Sequence, residues 1–306
     1  LGISIACDRI ACKNPVRRAR AWQYRTGGHS RGLPLDCMAH MEKIKKNLDV
    51  LLLALLVVAS ALIWYAVFYI EAHRAFTMTL FDVGQGDSIF LEMPNGNHVL
   101  IDGGPTDAVL AKLGSVLPFW DRTIDLIILT HPHADHATGL IGVLKRYKVG
   151  MVLESGVNYS TPEYSEWHVM VKEKKIPVVF AHRGQIVHLA PQTKLDILTP
   201  FDYFSGKSSK NVHDAMVIAK LRDGSATALL TGDAEKSLEY RLLFAGDDLR
   251  SDLLKVGHHG SKTSTTEDFI RAVAPKIAVI SAGRKNRYGH PAQEVVDRIA
   301  AFGATL

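Results

Sequence analysis

Thr130-His131-Pro132-His133-Ala134-Asp135-His136 is the stretch from which the rest of this chain is best read. Three imidazoles and a carboxylate fall within six residues, directly after the apolar run 124–129. Imidazole and carboxylate are the side chains that bind first-row divalent metals. A buried strand ending in that cluster sets all four groups on one loop at the rim of a sheet. His131 and His133, two residues apart, can point the same way and share one metal. Asp135 and His136 then reach a second position beside it. Two further apolar runs end in similar chemistry. Leu229-Leu230-Thr231-Gly232-Asp233 closes on a carboxylate, and Leu253-Leu254-Lys255-Val256-Gly257-His258-His259 closes on paired histidines. Sites in layered α/β folds assemble at strand ends, so three converging ends outweigh any one. Asp233 alone would read as an ordinary helix N-cap.

The 306 residues carry a formal net charge of +5, but unevenly. Residues 1–47 hold ten Lys and Arg against three Asp and Glu, while the remainder holds 26 against 28. The basic balance therefore belongs to the N-terminal tail and gives no reason to place nucleic acid on the rest. Bound divalent cations would add positive charge where the main domain lacks it. Cys7, Cys12 and Cys37 all lie in the tail, so the domain has neither a disulfide framework nor a thiolate metal site. Residues 1–40 are Arg-rich and lack apolar periodicity. Met41-Glu42-Lys43 reads as a natural start, so translation from Met41 or Met38 is expected, the alternative being a disordered basic tail.

Residues 50–70 carry no charge. At about 1.5 Å per residue they span roughly 31 Å, enough to cross a bilayer core. Trp64, Tyr65, Phe68 and Tyr69 gather at the far end, and Lys43, Lys45 and Lys46 lie just before the run, against Arg74 and the titratable His73 after it. The positive-inside rule then predicts a single-pass cell-membrane protein with its N-terminus in the cytoplasm and its main domain outside. A cleaved signal peptide is the rival, with Ala59-Ser60-Ala61 as its cleavage site. The expected organisation is a basic tail over 1–47, an anchor over 48–70 and one domain over 75–306.

Within that domain, 76–83 and 88–93 alternate as strands, and Pro94-Asn95-Gly96-Asn97 is a tight turn into a strand over 98–101. Helical spacing covers 107–117, 139–147 and 164–174. Strands are expected over 194–198, 216–221 and 226–230, a helix over 235–244 and a strand over 253–256. A helix over 266–273, a strand over 277–280 and a helix over 292–302 follow. Ala304-Thr305-Leu306 reads as the start of another strand. A hairpin that opens an otherwise alternating chain predicts a mixed-sheet α/β layered fold. The polar run 205–210 reads as a loop near the site. His98, His168, His182 and His188 stand in no motif.

His131-X-His133-X-Asp135-His136 resembles the signature of the metallo-β-lactamase superfamily. A fuller set narrows the resemblance: Phe81-Asp82-Val83-Gly84-Gln85-Gly86-Asp87, Ile101-Asp102-Gly103-Gly104, Leu230-Thr231-Gly232-Asp233-Ala234-Glu235, Lys255-Val256-Gly257-His258-His259-Gly260-Ser261 and Asn286-Arg287-Tyr288-Gly289-His290-Pro291. Together they are similar to the hydrolase domain of the ComEC family of DNA-uptake competence proteins. The resemblance implies a four-layer αββα sandwich, preceded here by one transmembrane helix, with a two-metal site and phosphodiester hydrolysis of DNA. It also marks departures. Asn211-Val212-His213 falls where a further histidine ligand stands in much of the superfamily, so His213 either restores that ligand or caps a strand. Met216 falls where a serine is expected, and the many membrane spans of full-length competence proteins are reduced here to one.

The expected centre holds two divalent ions, zinc or manganese, through His131, His133, Asp135, His136, His213, Asp233 and one of His258 and His259. Two such ions about 3.5–4 Å apart can share a hydroxide formed at neutral pH. Asp233 is the expected bridge and Asp135 orients the nucleophile. Asp102 is expected to orient a ligand histidine, with Asp82 and Asp87 lining the site. Ser261, Lys262, Thr263 and Asn286 are expected to grip phosphate, and His290 to protonate the leaving oxygen. The substrate expected is single-stranded DNA, with a competence channel as partner. The alternatives are a hydrolase of a phosphorylcholine ester, lactone or thioester, and a non-catalytic DNA-uptake subunit.

Overall fold

The computed structural model describes residues 35–72 and 74–306. The expectations for Cys7, Cys12, the start of the basic tail and His73 lie outside the described residues. The chain divides into two compact units, one ending at Trp64 and the other running from Tyr65 to Leu306.

Helix α1 (Leu35–Ala72) is longer than the uncharged run, because Glu42, Lys43, Lys45 and Lys46 ahead of it are themselves good helix formers. Its stretch Met38–Ile70 is long and apolar enough to cross a membrane, and none of its most apolar window is buried. Leu56 and Tyr65 are 66% and 68% exposed, which water would penalise and lipid would not.

Two six-stranded mixed sheets form the second unit. The first runs in chain order: β1 (Thr77–Leu80), β2 (Ile89–Glu92), β3 (His98–Ile101), β4 (Thr123–Ile128), β5 (Lys148–Glu154) and β6 (Val178–Phe180). β1 to β3 pair antiparallel through the predicted hairpin, and β3 to β6 pair parallel. The second sheet holds β7 (Ile186–Ala190), β8 (Thr193–Ile197), β9 (Ala219–Asp223), β10 (Ala226–Leu230), β11 (Leu253–Lys255) and β12 (Ile277–Val279). Its last three strands are parallel. Helices α2 (Ala108–Val116), α3 (Ala134–Arg146) and α4 (Pro162–Glu173) cover the first sheet, and α5 (Lys236–Phe244), α6 (Glu267–Val273) and α7 (Gln293–Ala301) cover the second.

Strand alternation explains the layers. On β3, Leu100 faces α2 and α3, while Val99 and Ile101 join Leu195, Leu221 and Leu230 between the sheets. On β10, Leu229 turns outward to Leu238 and Phe269, and Ala228 and Leu230 turn inward. Apolar residues on both faces of β4 are what a central parallel strand requires. This is the four-layer αββα sandwich implied by the motifs.

Several boundaries differ from expectation. α3 begins at Ala134, not 139, because His133 is its N-cap and Asp135 lies in its first turn. The metal motif is thus itself a helix start, and its polar residues hide the period. β5, β6 and β7 were not anticipated: β6 is three half-buried residues, and β7 is an edge strand with little buried. β9 begins at Ala219 rather than 216, after a 3-10 turn over Val212–Ala215. Thr305 pairs with Ile277 beside β12, as the strand-like reading of 304–306 predicts.

The parallel registers Ile101↔Ile128 and Leu230↔Lys255 bring four strand ends level. Below them, Gly103 N–H donates to His136 O at 2.8 Å and Gly139 N–H to Gly104 O at 2.9 Å. A Cβ on Gly139 would lie 1.9 Å from Gly103 O. Because the obstacle is backbone, Gly139→Ala is expected to destabilise the fold by about 1–3 kcal/mol. Thermal melting checks this, and a melting point equal to wild type would show that the helix can move away freely.

Candidate metal centre

The four level strand ends deliver the groups the sequence singled out. His131 Nε2 lies 3.0 Å from His133 Nδ1 and 3.7 Å from Asp233 Oδ2. The His213 ring stands 5.0 Å from that of His133 and 5.4 Å from that of His131. His136 Nε2 and His259 Nε2 each lie 3.3 Å from Asp233 Oδ1, and His259 Nε2 lies 3.4 Å from Asp135 Oδ2. Two four-residue sets result: His131, His133, His213, Asp233, and Asp135, His136, Asp233, His259. Within each set the ligand atoms lie within 4.8 Å of one another, and Asp233 belongs to both.

The donor chemistry fits metal ions. His136 Nε2, His259 Nε2, Asp233 Oδ1 and both ring nitrogens of His213 are buried with no hydrogen-bond partner. Leaving such atoms unpaired costs about 1–3 kcal/mol each, and a cation among them satisfies several at once.

Backbone conformation separates the paired histidines. The 3-10 turn Gly257–Gly260 holds His258 at φ 47° and His259 at φ 54°, left-handed angles uncommon for residues with a Cβ. This drives the rings apart, to 6.3 Å between centroids. His259 enters the second set, where Ser281 O lies 2.8 Å from its Nδ1. His258 instead faces Glu235, at 3.3 Å.

Electrostatics differ between the two sets. Burial, reinforced by His136, holds His131 well below the usual imidazole range. Burial and His213 push His133 down to about 4, and burial also lowers His213. These rings are neutral, the form that ligates. In the second set burial opposes charge but loses. Asp233 and Asp102 carry His136 well above its ordinary value, while the surrounding carboxylates of Asp135, Asp233 and Asp87 raise His259 to about 10. Burial likewise opposes the Asp233 carboxylate, and His136 and His259 keep it ionised.

A metal entering the second set must therefore displace protons. A folded-state pKa raised from 6.5 to about 10 stabilises the metal-free fold fully below pH 6.5, and that stability is lost as pH rises to 10. In excess chelator, folding stability is expected to fall across that window by on the order of a few kcal/mol, read as a falling melting point. Divalent metal should reverse the trend. A chelated protein that gains stability from pH 6.5 to 9.5 would contradict the pairing of His259.

Asp102 lies directly beneath His136. At φ 59° it turns back under the site, and its carboxylate accepts from Thr130 N–H at 2.8 Å and Thr130 Oγ–H at 2.7 Å. His136 Nδ1 also lies 2.7 Å from it. This fixes the ring so that Nε2 faces Asp233. Asp102→Ala is expected to weaken metal binding about 10- to 100-fold, read by competition with a chromophoric chelator; unchanged affinity would remove Asp102 from the site.

Other expected residues are placed less uniformly. Asp87 is buried and pairs with Lys255 Nζ, with His259 Nδ1 3.5 Å away. Asp82 is a correction: it is exposed and accepts from Gly84 N–H at 3.3 Å, a turn contact in place of a site-lining role. Asn286 is another. Its amide donates to Gly283 O and His290 O, and its Oδ1 accepts from Tyr288 N–H and His290 N–H, so it staples a loop and has no amide group left for phosphate. Ser261 Oγ and Thr263 Oγ1 lie 3.0 Å apart, Thr263 donates to Glu235 at 2.8 Å, and Lys262 is exposed. The His290 ring lies 5.7 Å from that of His258, at the edge of the cluster. Where a serine was expected, Met216 Sδ accepts from Asp233 N–H at 3.1 Å, a packing role with no hydroxyl chemistry.

Lys255 and Glu235 were overlooked. Lys255 is buried, donates to Gly232 O at 2.9 Å and lies 4.0 Å from Asp233 Oδ1. A lysine inside an apolar strand was the available signal, since a buried ammonium needs a buried carboxylate. Glu235 links His258 to Thr263.

The sequence profile of the Metallo-beta-lactamase superfamily matches residues 81–202, which include the whole His131–His136 motif. This is a metallo-beta-lactamase domain. ComE operon protein 3 of Bacillus subtilis (strain 168) is 32% identical over 234 residues, 71% of this chain and 30% of its own length. Competence protein ComA of Neisseria gonorrhoeae is 30% identical over 236 residues, 75% of this chain and 30% of its own. The chain thus spans under a third of the length of these relatives. Among solved structures, Igni18, a metallo hydrolase from the archaeon Ignicoccus hospitalis, is 14% identical over 74% of this chain and 93% of its own, with a TM-score of 0.49.

Proposed function

We propose that this metallo-beta-lactamase domain is a two-metal phosphodiesterase that cuts single-stranded DNA, anchored to the cell membrane by α1 with the domain on the outer side. The observation that carries the reading is Asp233, one carboxylate common to two ligand sets. The competence-protein relatives support DNA as the substrate and a DNA-uptake channel as partner. Lys43, Lys45 and Lys46 ahead of the apolar run support the orientation.

His131, His133 and His213 would hold one ion and Asp135, His136 and His259 the other, with Asp233 between them. When bound, the ions supply Lewis acidity at the phosphoryl oxygens and make water a nucleophile near neutral pH. Asp135, the most exposed carboxylate of the second set at 31%, accepts a hydrogen bond from the attacking water and takes its proton. The water oxygen bonds to phosphorus as the phosphorus–oxygen bond to the leaving sugar breaks. His290, beside His258 at the cluster's edge, gives a proton to that departing oxygen.

The full chain in detergent, loaded with manganese or zinc, is expected to cut a single-stranded oligonucleotide, with the activity abolished by EDTA and by His133→Ala. Intact DNA alongside cleavage of a lactone, thioester or phosphorylcholine ester would replace the nuclease reading with another hydrolase.

A further inference from the structure

A cavity of about 350 Å³ opens beside the metal centre, between the chain leaving β5 and the 205–208 loop. The Tyr159 ring lies 5.7 Å from that of His133, so this cavity adjoins the first ligand set. Tyr164, His168 and Phe180 also line it, with the Tyr164 and His168 rings 4.3 Å apart. Gly156 makes room for the aromatic wall: at φ 68°, a Cβ there would lie 2.5 Å from the Phe180 ring.

The walls are tied together by backbone. Asn158 N–H donates to Lys207 O at 2.8 Å, Asn158 Nδ2 donates to Gly206 O at 2.8 Å, and Gly206 N–H donates to Gly156 O at 3.0 Å. A parallel bridge joins Asn158 to Ser208. The cavity walls are thus held by backbone pairing between the chain after β5 and the 205–208 loop, and Ser160, Ser205 and Ser208 are among the lining residues.

We infer that this cavity is a nucleobase subsite, in which a base next to the scissile phosphate stacks on Tyr159. The inference rests on the phosphodiesterase reading and names where the strand is gripped. Ring faces bind any base by stacking, and hydroxyl and amide groups at the edge meet base edges without demanding one sequence. Charge decides against the other occupant of an aromatic pocket, a quaternary ammonium. Lys207 and Lys210 stand exposed on the adjoining loop, where they attract a phosphate backbone and repel a cation. The nearby acid, Glu154, is buried with Trp167 Nε1 donating to it at 2.8 Å, so it is no open counter-charge for an ammonium.

The test uses the full chain with wild type, Tyr159→Ala and Tyr159→Phe. On single-stranded oligonucleotides, Tyr159→Ala is expected to raise KM about tenfold, while Tyr159→Phe stays near wild type and the metal content of both variants equals that of wild type. An abasic nucleotide beside the scissile phosphate should bring wild type to the level of Tyr159→Ala. Fluorescence anisotropy with a labelled oligothymidine, in chelator, gives the same comparison without cleavage. Equal KM and equal oligonucleotide affinity for wild type and Tyr159→Ala would overturn the subsite, as would a loss confined to phosphorylcholine ester cleavage. A wild type that binds DNA through Tyr159 yet cuts no phosphodiester would keep the subsite and remove the phosphodiesterase reading.

Discussion

Asp233→Ala is expected to empty both ligand sets at once and to lower hydrolysis by about 10³-fold or more. The carboxylate lies 3.3 Å from His136 and His259 on one side and 3.7 Å from His131 on the other, so no neighbour can replace it. A bound cation contributes several kcal/mol to transition-state stabilisation, and each 1.36 kcal/mol is tenfold in rate. Elemental analysis of the folded variant should find the metal content reduced in both sets, whereas His213→Ala should affect the first set more than the second. Asp233→Asn preserves shape and removes charge, so a similar loss would assign the effect to the carboxylate's charge. If Asp233→Ala keeps full metal content, the shared-ligand arrangement is wrong.

The second large effect is on stability. Lys255 and Asp87 face each other with side chains 1% and 3% exposed. Removing one partner of a buried pair strands the other charge in the interior, at a cost of about 3–5 kcal/mol. Lys255→Met is therefore expected to lower the melting temperature by roughly 6–20 °C, at about 2–4 °C per kcal/mol for a domain of this size. Replacing both partners with apolar residues is often near neutral, so Lys255→Met with Asp87→Leu should recover most of that loss. A single Lys255→Met variant that melts with wild type would mean that Asp87 finds another partner or is protonated.

Much of this was legible because periodicity and chemistry coincide. The apolar run 124–129 becomes β4, and the histidine cluster follows it; 226–230 becomes β10 without a shifted boundary, and Asp233 follows. Asp102 was legible because two glycines after a strand mark a tight return. The pairing of Lys255 with Asp87 was not, since it joins the end of β11 to the loop before β2 through tertiary contact alone. The choice between His258 and His259 depends on left-handed backbone angles that the residue types do not announce. Asn286 and Asp82 share a lesson. Short polar side chains near a site often serve their own loop, and both spend their groups on backbone within four residues. β6 and β7 are short and carry too little alternating burial to stand out from loops.

The histidines of the 131–136 motif hang from one half of the sandwich, while Asp233 and His259 hang from the other. A divalent ion seated among them acts as a rivet across the seam. Amide hydrogens near Ile128 and Leu230 should exchange more slowly and in concert once the protein is loaded, so that catalytic competence and resistance to breathing rise together as the ion is supplied.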